Sequence, residues 1–163
     1  MAKRIITKIG DVFCVKFDTS KKYLQYIGRD LTQLNSDIVR AFKKKHDIEY
    51  NPDINEIVSD EVDFYAHCDT AAGIKRDCWE KIGKSEDIGT LDYILFRSSS
   101  DIGNISIKIS ENWWVWKPNE EEVYVGKLTG RNRLAERGGV YPPEKIVRRM
   151  ITGDYGDVFP EFE

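Results

Sequence analysis

Few side chains in this sequence are suited to acid–base or nucleophilic chemistry. There are two histidines, His46 and His67, and three cysteines, Cys14, Cys68 and Cys78. A thiol nucleophile needs a nearby base and a lowered pKa. His67 and Cys68 are sequence neighbours, and in an extended segment neighbours point to opposite faces, so neither can act on the other. His67, Cys68 and Cys78 lack the close paired spacing that marks a zinc site. Carboxylates are abundant, as in Asp60-Glu61-Asp63 and Glu120-Glu121-Glu122. General acid–base work needs two of them set across a cleft with separated pKa values; as runs they read as solvated surface. Gly138-Gly139 lacks the flanks of a phosphate-binding loop. Lys43-Lys44-Lys45-His46 reads as an exposed basic cluster that keeps the surface solvated, in preference to a phosphate site. These residues predict no catalytic group, no metal and no cofactor.

Composition narrows the class further. A chain of 163 residues with 40% hydrophobic content fits one domain with a real core, and 33% charged residues give it a well-solvated surface. The formal net charge is −3 and the charges are interspersed, unlike a nucleic-acid footprint. No apolar run reaches membrane-span length. Lys8, Gly10 and Asp11 interrupt the start of the chain, so no signal peptide is expected. Three widely spaced cysteines suit a reducing cytoplasm.

The elements that must position any site are mostly strands. Asn112-Trp113-Trp114-Val115-Trp116-Lys117-Pro118 holds three of the four tryptophans. Trp and Val favour a pleated, half-buried surface, and alternation sends Trp114 and Trp116 to one face and Trp113 and Val115 to the other. At least two of these tryptophans are expected in the core. Ile105, Ile107 and Ile109 alternate with polar residues, and Val123–Leu128 is again strand-like, so residues 104–128 predict a three-stranded antiparallel meander. Near the start, residues 12–17 and 23–28 predict a β-hairpin across a polar turn, with Val12 and Cys14 facing one way and Phe13, Val15 and Phe17 the other. Residues 31–45 admit either a helical stripe or a strand, and a strand over 37–43 is preferred. Asp53 is a candidate N-cap for a short helix, and residues 61–68 form another strand. Residues 71–82 read as a strand and then a helical turn; residues 85–96 read as a short helix or a buried turn. Tyr141-Pro142-Pro143 opens the clearest helix, near 142–152, with Ile146, Val147, Met150 and Ile151 inward, Lys145, Arg148 and Arg149 toward solvent, and Gly153 as its stop. The acidic, aromatic tail 154–163 is either flexible or docked on the body. The predicted class is α+β and β-rich: an antiparallel twisted sheet or an SH3-like partial barrel with two or three short helices.

Four blocks carry a family resemblance. They are Lys8-Ile9-Gly10-Asp11-Val12-Phe13, Tyr26 to Asp30, Gly73-Ile74 with Cys78-Trp79-Glu80-Lys81-Ile82-Gly83, and Asn112-Trp113-Trp114-Val115-Trp116. In this order and spacing the chain resembles bacterial immunity proteins of polymorphic toxin systems, of the immunity protein 26 type, from about Lys8 to about Met150. The resemblance implies a β-rich cytoplasmic protein that neutralises a cognate toxin by binding it, and it implies no catalytic residues.

On that reading the partner is a toxin domain, and acidic groups would steer its encounter with a basic surface. The candidate partner-binding residues are Glu120, Glu121 and Glu122, together with Asp154 and Asp157 of the tail. Two alternatives stand beside it. The hairpin start also looks like that of small-barrel ribonuclease toxins, for which Arg29, Arg40 and His67 are the available groups. A ligand-binding barrel would show a deep apolar pocket with a few convergent polar groups.

Overall fold

The computed structural model describes residues 3–163. The chain is α+β, built on two sheets, neither of which closes into a barrel. The first hairpin pairs β1 (Asp11–Phe17) with β2 (Ser20–Asp30), register Val15↔Lys22. Its turn is only Asp18-Thr19, shorter than the polar stretch suggests; Asp18 takes a left-handed φ of 51°, which aspartate tolerates. Next come β3 (Ser36–Phe42), β4 (His46–Asp47), helix α1 (Ile54–Val58) and β5 (Val62–Cys68). Asp53 caps α1 by accepting from the Glu56 N–H at 2.8 Å. Helix α2 (Thr70–Lys75) precedes β6 (Glu80–Lys84), so the order predicted for this segment is reversed. Asp69 decides it, because its side chain accepts from the Ala72 N–H at 3.0 Å and starts the helix there. The first sheet runs β5-β3-β2-β1-β6, with β4 also on β2.

The second sheet comprises β7 (Phe96–Ser99), β8 (Trp113–Trp116), β9 (Val123–Gly126) and β10 (Glu136–Arg137), in the order β10-β7-β8-β9. The antiparallel meander is therefore real, but its first strand is β7. Residues 104–110 are not a strand: Ile105 is 79% exposed. Both edges of β8 are already taken, by β7 and β9. Asn104 instead folds its own segment into a turn, its side chain accepting from the Ser106 N–H and hydroxyl. A 3₁₀ turn (Gly130–Leu134) leads to β10, and α3 (Pro143–Thr152) follows. Pro143 sits at its start, and Gly153, at φ 83°, closes it by donating to the Arg149 carbonyl.

The first sheet is covered on both faces. On one, Phe13, Val15, Leu24, Val39 and Phe64 meet Trp79, Ile146 and Met150. On the other, Ile27 and Ile38 meet Phe96 and Trp116 of the second sheet. The first hairpin's facing pattern holds, since Val12 and Cys14 pack with Tyr23, Phe42 and Ile57 instead. Trp113 and Val115 point away from Trp116 into a separate cluster with Leu128, Ala135, Phe159 and Phe162. Trp113 and Trp116 are buried, so two of the three tryptophans are in the core as expected, and Trp114, on the same face as Trp116 by alternation, is half-buried. Burying one such ring stabilises the fold by roughly 3 kcal/mol.

One alternative left open by the sequence is decided, and two details differ from the sequence reading. The tail is docked: Tyr155 is buried and stacks on Tyr141 with ring centroids 3.8 Å apart. His46 is buried against Tyr23, leaving only Lys43, Lys44 and Lys45 exposed from the basic cluster. Arg149 turns inward, its guanidinium 4.1 Å from the Phe64 ring centre, while Ile151 is exposed. Arginine's apolar stem and planar head let it fill an aromatic-lined position that a helical-wheel reading assigns to solvent.

Candidate functional site

The hairpin β8–β9 lies at one side of the second sheet, and β9 is its edge strand. Trp114 pairs with Tyr124 across it, the rings 5.2 Å apart and edge-on. Tyr124 is 52% exposed, and its hydroxyl donates to the Asn112 side chain at 2.9 Å. Next to this pair the chain turns through Pro118-Asn119 into Glu120, Glu121 and Glu122, all exposed. Asn119 adopts a left-handed φ of 67° and anchors the turn: its side chain accepts from the Leu31 N–H at 2.8 Å, and its carbonyl accepts from the Thr32 hydroxyl. Gln33 donates to Glu121 at 3.3 Å. These bonds set Leu31, which is 66% exposed, beside the acidic turn. The hairpin thus carries the half-buried Trp114, the exposed Tyr124 and three exposed carboxylates, with Leu31 held against its turn.

The structure separates the five predicted binding residues. Glu120, Glu121 and Glu122 precede the edge strand β9, whereas Asp157 is tied to Arg137 of β10 at the opposite edge, at 2.7 Å. Three inter-strand steps lie between those edges, about 14 Å of sheet. Asp157 also accepts from the Tyr141 hydroxyl at 2.8 Å, so it holds the tail in place. Asp154 is exposed, its side chain accepting from the Gly156 N–H at 3.0 Å.

The groups considered for ribonuclease chemistry are not assembled. Arg29 pairs with Asp37 at 3.0 Å. Arg40 donates to Gln25 at 2.9 Å and to the Asp87 carbonyl at 2.8 Å. His67 is sealed with Asp30, Nε2 to Oδ2 at 3.0 Å. Asp30 also accepts from Trp116 Nε1 at 2.8 Å and from the Asn119 N–H at 3.1 Å. Burial lowers the His67 pKa, so the ring is neutral and donates through Nε2, while its Nδ1 meets no polar partner. The imidazole is closed to solvent and packs on the Phe96 ring of the second sheet, centroids 4.1 Å apart. Among the described residues, no three His, Cys, Asp or Glu side chains are grouped to hold a metal ion. No described helix is long and apolar enough to cross a membrane.

Sequence reading missed two clusters. The Asp30–His67–Trp116 cluster joins residues up to 86 positions apart. A second brings Arg97, Arg137 and Arg149 to one cleft with Glu136 and Tyr155. Neither leaves a local motif: the first forms where the two sheets meet, and the second where the second sheet meets α3 and the tail. The four blocks behind the family resemblance also come together: the Gly10 N–H donates to the Tyr26 carbonyl at 2.7 Å, a Cβ on Gly73 would sit 1.9 Å from the Trp79 ring, and Asp30 receives Trp116. Their buried members, Phe13, Tyr26, Trp79, Trp113 and Trp116 among them, belong to the core, while Trp114 of the fourth block is half-buried at the β8–β9 edge. Set against protein-family models, curated proteins and solved structures, the chain finds no match in any of the three.

Proposed function

We propose that this protein is an immunity protein, which neutralises a toxin domain by binding across its active surface. The observation that carries the reading is the β8–β9 edge, where the half-buried Trp114 and the exposed Tyr124 pair beside the Glu120-Glu121-Glu122 turn. Partly exposed aromatic rings supply contact area at little entropic cost, and the carboxylates attract a basic partner and speed its encounter. A standard interface of about 1,600 Å² could take in this edge and the loop bearing Leu31.

A toxin-like domain is expected to be encoded beside this gene, and the test is co-expression with that domain; a neighbouring gene with no such domain counts against the proposal. The wild-type protein restores growth and co-purifies with the toxin. The double substitution Trp114→Ala with Tyr124→Ala abolishes protection while the purified variant keeps a urea midpoint close to wild type. Growth arrest that the wild-type protein does not relieve, or protection that survives the double substitution, overturns the proposal.

A further inference from the structure

At the other edge of the second sheet, three guanidinium groups crowd one cleft of about 210 Å³, lined by Arg97, Glu136, Arg137, Arg149, Asp154 and Tyr155. The fold forces them together. Arg97 and Arg137 are register partners between β7 and β10, and Arg149 enters from α3. Two have carboxylate partners: Arg137 with Asp157 at 2.7 Å and Arg149 with Glu136 at 3.3 Å. Among the described residues Arg97 has none. It donates one bond, to the Ala135 carbonyl, and its Nε is buried without an acceptor. Aromatic rings surround it, Trp113, Phe159 and Phe162 lying 5.3–5.7 Å from its central carbon. The surroundings hold its side chain in place, and desolvation strengthens its pull on any anion.

Like charges packed this closely repel; burial and the neighbouring Arg137 both depress the Arg97 pKa. An anion in the cleft would relieve that repulsion. Each guanidinium has five N–H donors, and the bonds above engage a minority of them. Donors arriving from a strand, a second strand and a helix surround a tetrahedral oxyanion well, whereas a planar carboxylate is satisfied by one arginine fork. The cleft is several water volumes in size, ample for a phosphoryl group. Its two bordering carboxylates do not block this use. Glu136 is paired with Arg149 at 3.3 Å, which offsets its charge toward an anion. Asp154 is bonded to the tail backbone at the exposed rim.

We propose that the Arg97–Arg137–Arg149 cleft is a binding site for a phosphate-class oxyanion. It is independent of the toxin-binding edge.

Inorganic phosphate is the probe, titrated calorimetrically into the intact protein, with chloride and acetate at matched ionic strength as references. The wild-type protein gives saturable, one-to-one binding of phosphate and little response to either reference. Arg97→Gln weakens phosphate binding about tenfold or more, as the loss of one charge-assisted pair requires. Circular dichroism establishes that the variant is folded; should it not fold, Arg137→Gln is read in the same way. Phosphate that behaves like chloride overturns the site. Acetate binding as tightly as phosphate overturns the assigned class, and binding undiminished in the folded variant overturns the assigned residues.

Discussion

His67 Nε2 lies 3.0 Å from Asp30 Oδ2, and both side chains are closed to solvent. That carboxylate also receives Trp116 Nε1 from the second sheet and the Asn119 N–H from the acidic turn. Removing one partner of such a buried charged cluster strands the others. Asp30→Ala is expected to cost about 3–5 kcal/mol, and Asp30→Asn less, since the amide keeps one acceptor. Urea unfolding measures it; a loss under about 1 kcal/mol for the alanine variant contradicts the bridging role.

Both histidines have pKa values lowered from 6.5, burial being the largest cause for each. In the unfolded chain they bind protons near 6.5, while the folded protein resists them to lower pH. The unfolded state thus takes up more protons below 6.5, so their contribution to stability is complete above that pH and is lost as pH falls toward the folded values. Glu136 works the other way: its raised carboxyl contributes stability below 4.5 that disappears as pH rises through its folded value. Imidazole chemical shifts separate these effects, and both histidine midpoints should fall below 6.5 in the folded protein.

Two glycines leave room for tryptophan. A Cβ on Gly73 would lie 1.9 Å from Trp79, and one on Gly138 would lie 2.1 Å from Trp116. Gly73→Ala and Gly138→Ala should each destabilise the protein by about 1–3 kcal/mol through overpacking. Gly139→Ala meets nothing within 4 Å and should leave the thermal midpoint nearly unchanged. Equal midpoints for all three variants would contradict the packing described.

Thiol reactivity follows burial. Cys14 and Cys68 are buried and Cys78 is half-buried, and burial raises the pKa of each. With a chromogenic disulfide reagent at neutral pH, Cys78 should react first and slowly, and Cys68 only in denaturant. Rapid labelling of all three in the native protein would contradict the core assignment.

At the proposed toxin interface, charges and rings should act on different rate constants. Glu120→Gln, Glu121→Gln and Glu122→Gln together should slow association and flatten its salt dependence. Trp114→Ala should instead speed dissociation, by about 30-fold where the ring is a hot spot. Surface plasmon resonance with the purified toxin domain distinguishes them.

The legible parts of the sequence were those whose burial is decided locally. The alternation of Val12, Cys14, Phe13 and Val15 gave both faces of β1, because both faces of that strand meet apolar layers. Asp53 and the Pro143–Gly153 bracket marked helix ends through backbone chemistry confined to a few residues. The strand β7 was not legible. Phe96-Arg97-Ser98-Ser99 has no apolar alternation, and it is a strand because β8 requires a neighbour on that side. Ile105, Ile107 and Ile109 had the better pattern, but both sides of β8 are taken by β7 and β9. Arg149 was assigned to solvent because a helical wheel does not show that Glu136 and Tyr155 arrive to meet it. The acidic turn was found as a charge run, but Trp114 and Tyr124 beside it emerged only from strand pairing.

Only four residues long, β8 sends one indole to the first sheet and another, three positions earlier, to the tail aromatics. A slip of one residue would reverse every side chain. Trp116 would leave Asp30, and Trp113 would be driven from its own pocket toward the wrong layer. Short strands usually tolerate such errors in alignment; this one has two large mismatches to punish any of them. Its alignment is thereby fixed by side-chain shape as well as by the few ladder bonds it can form.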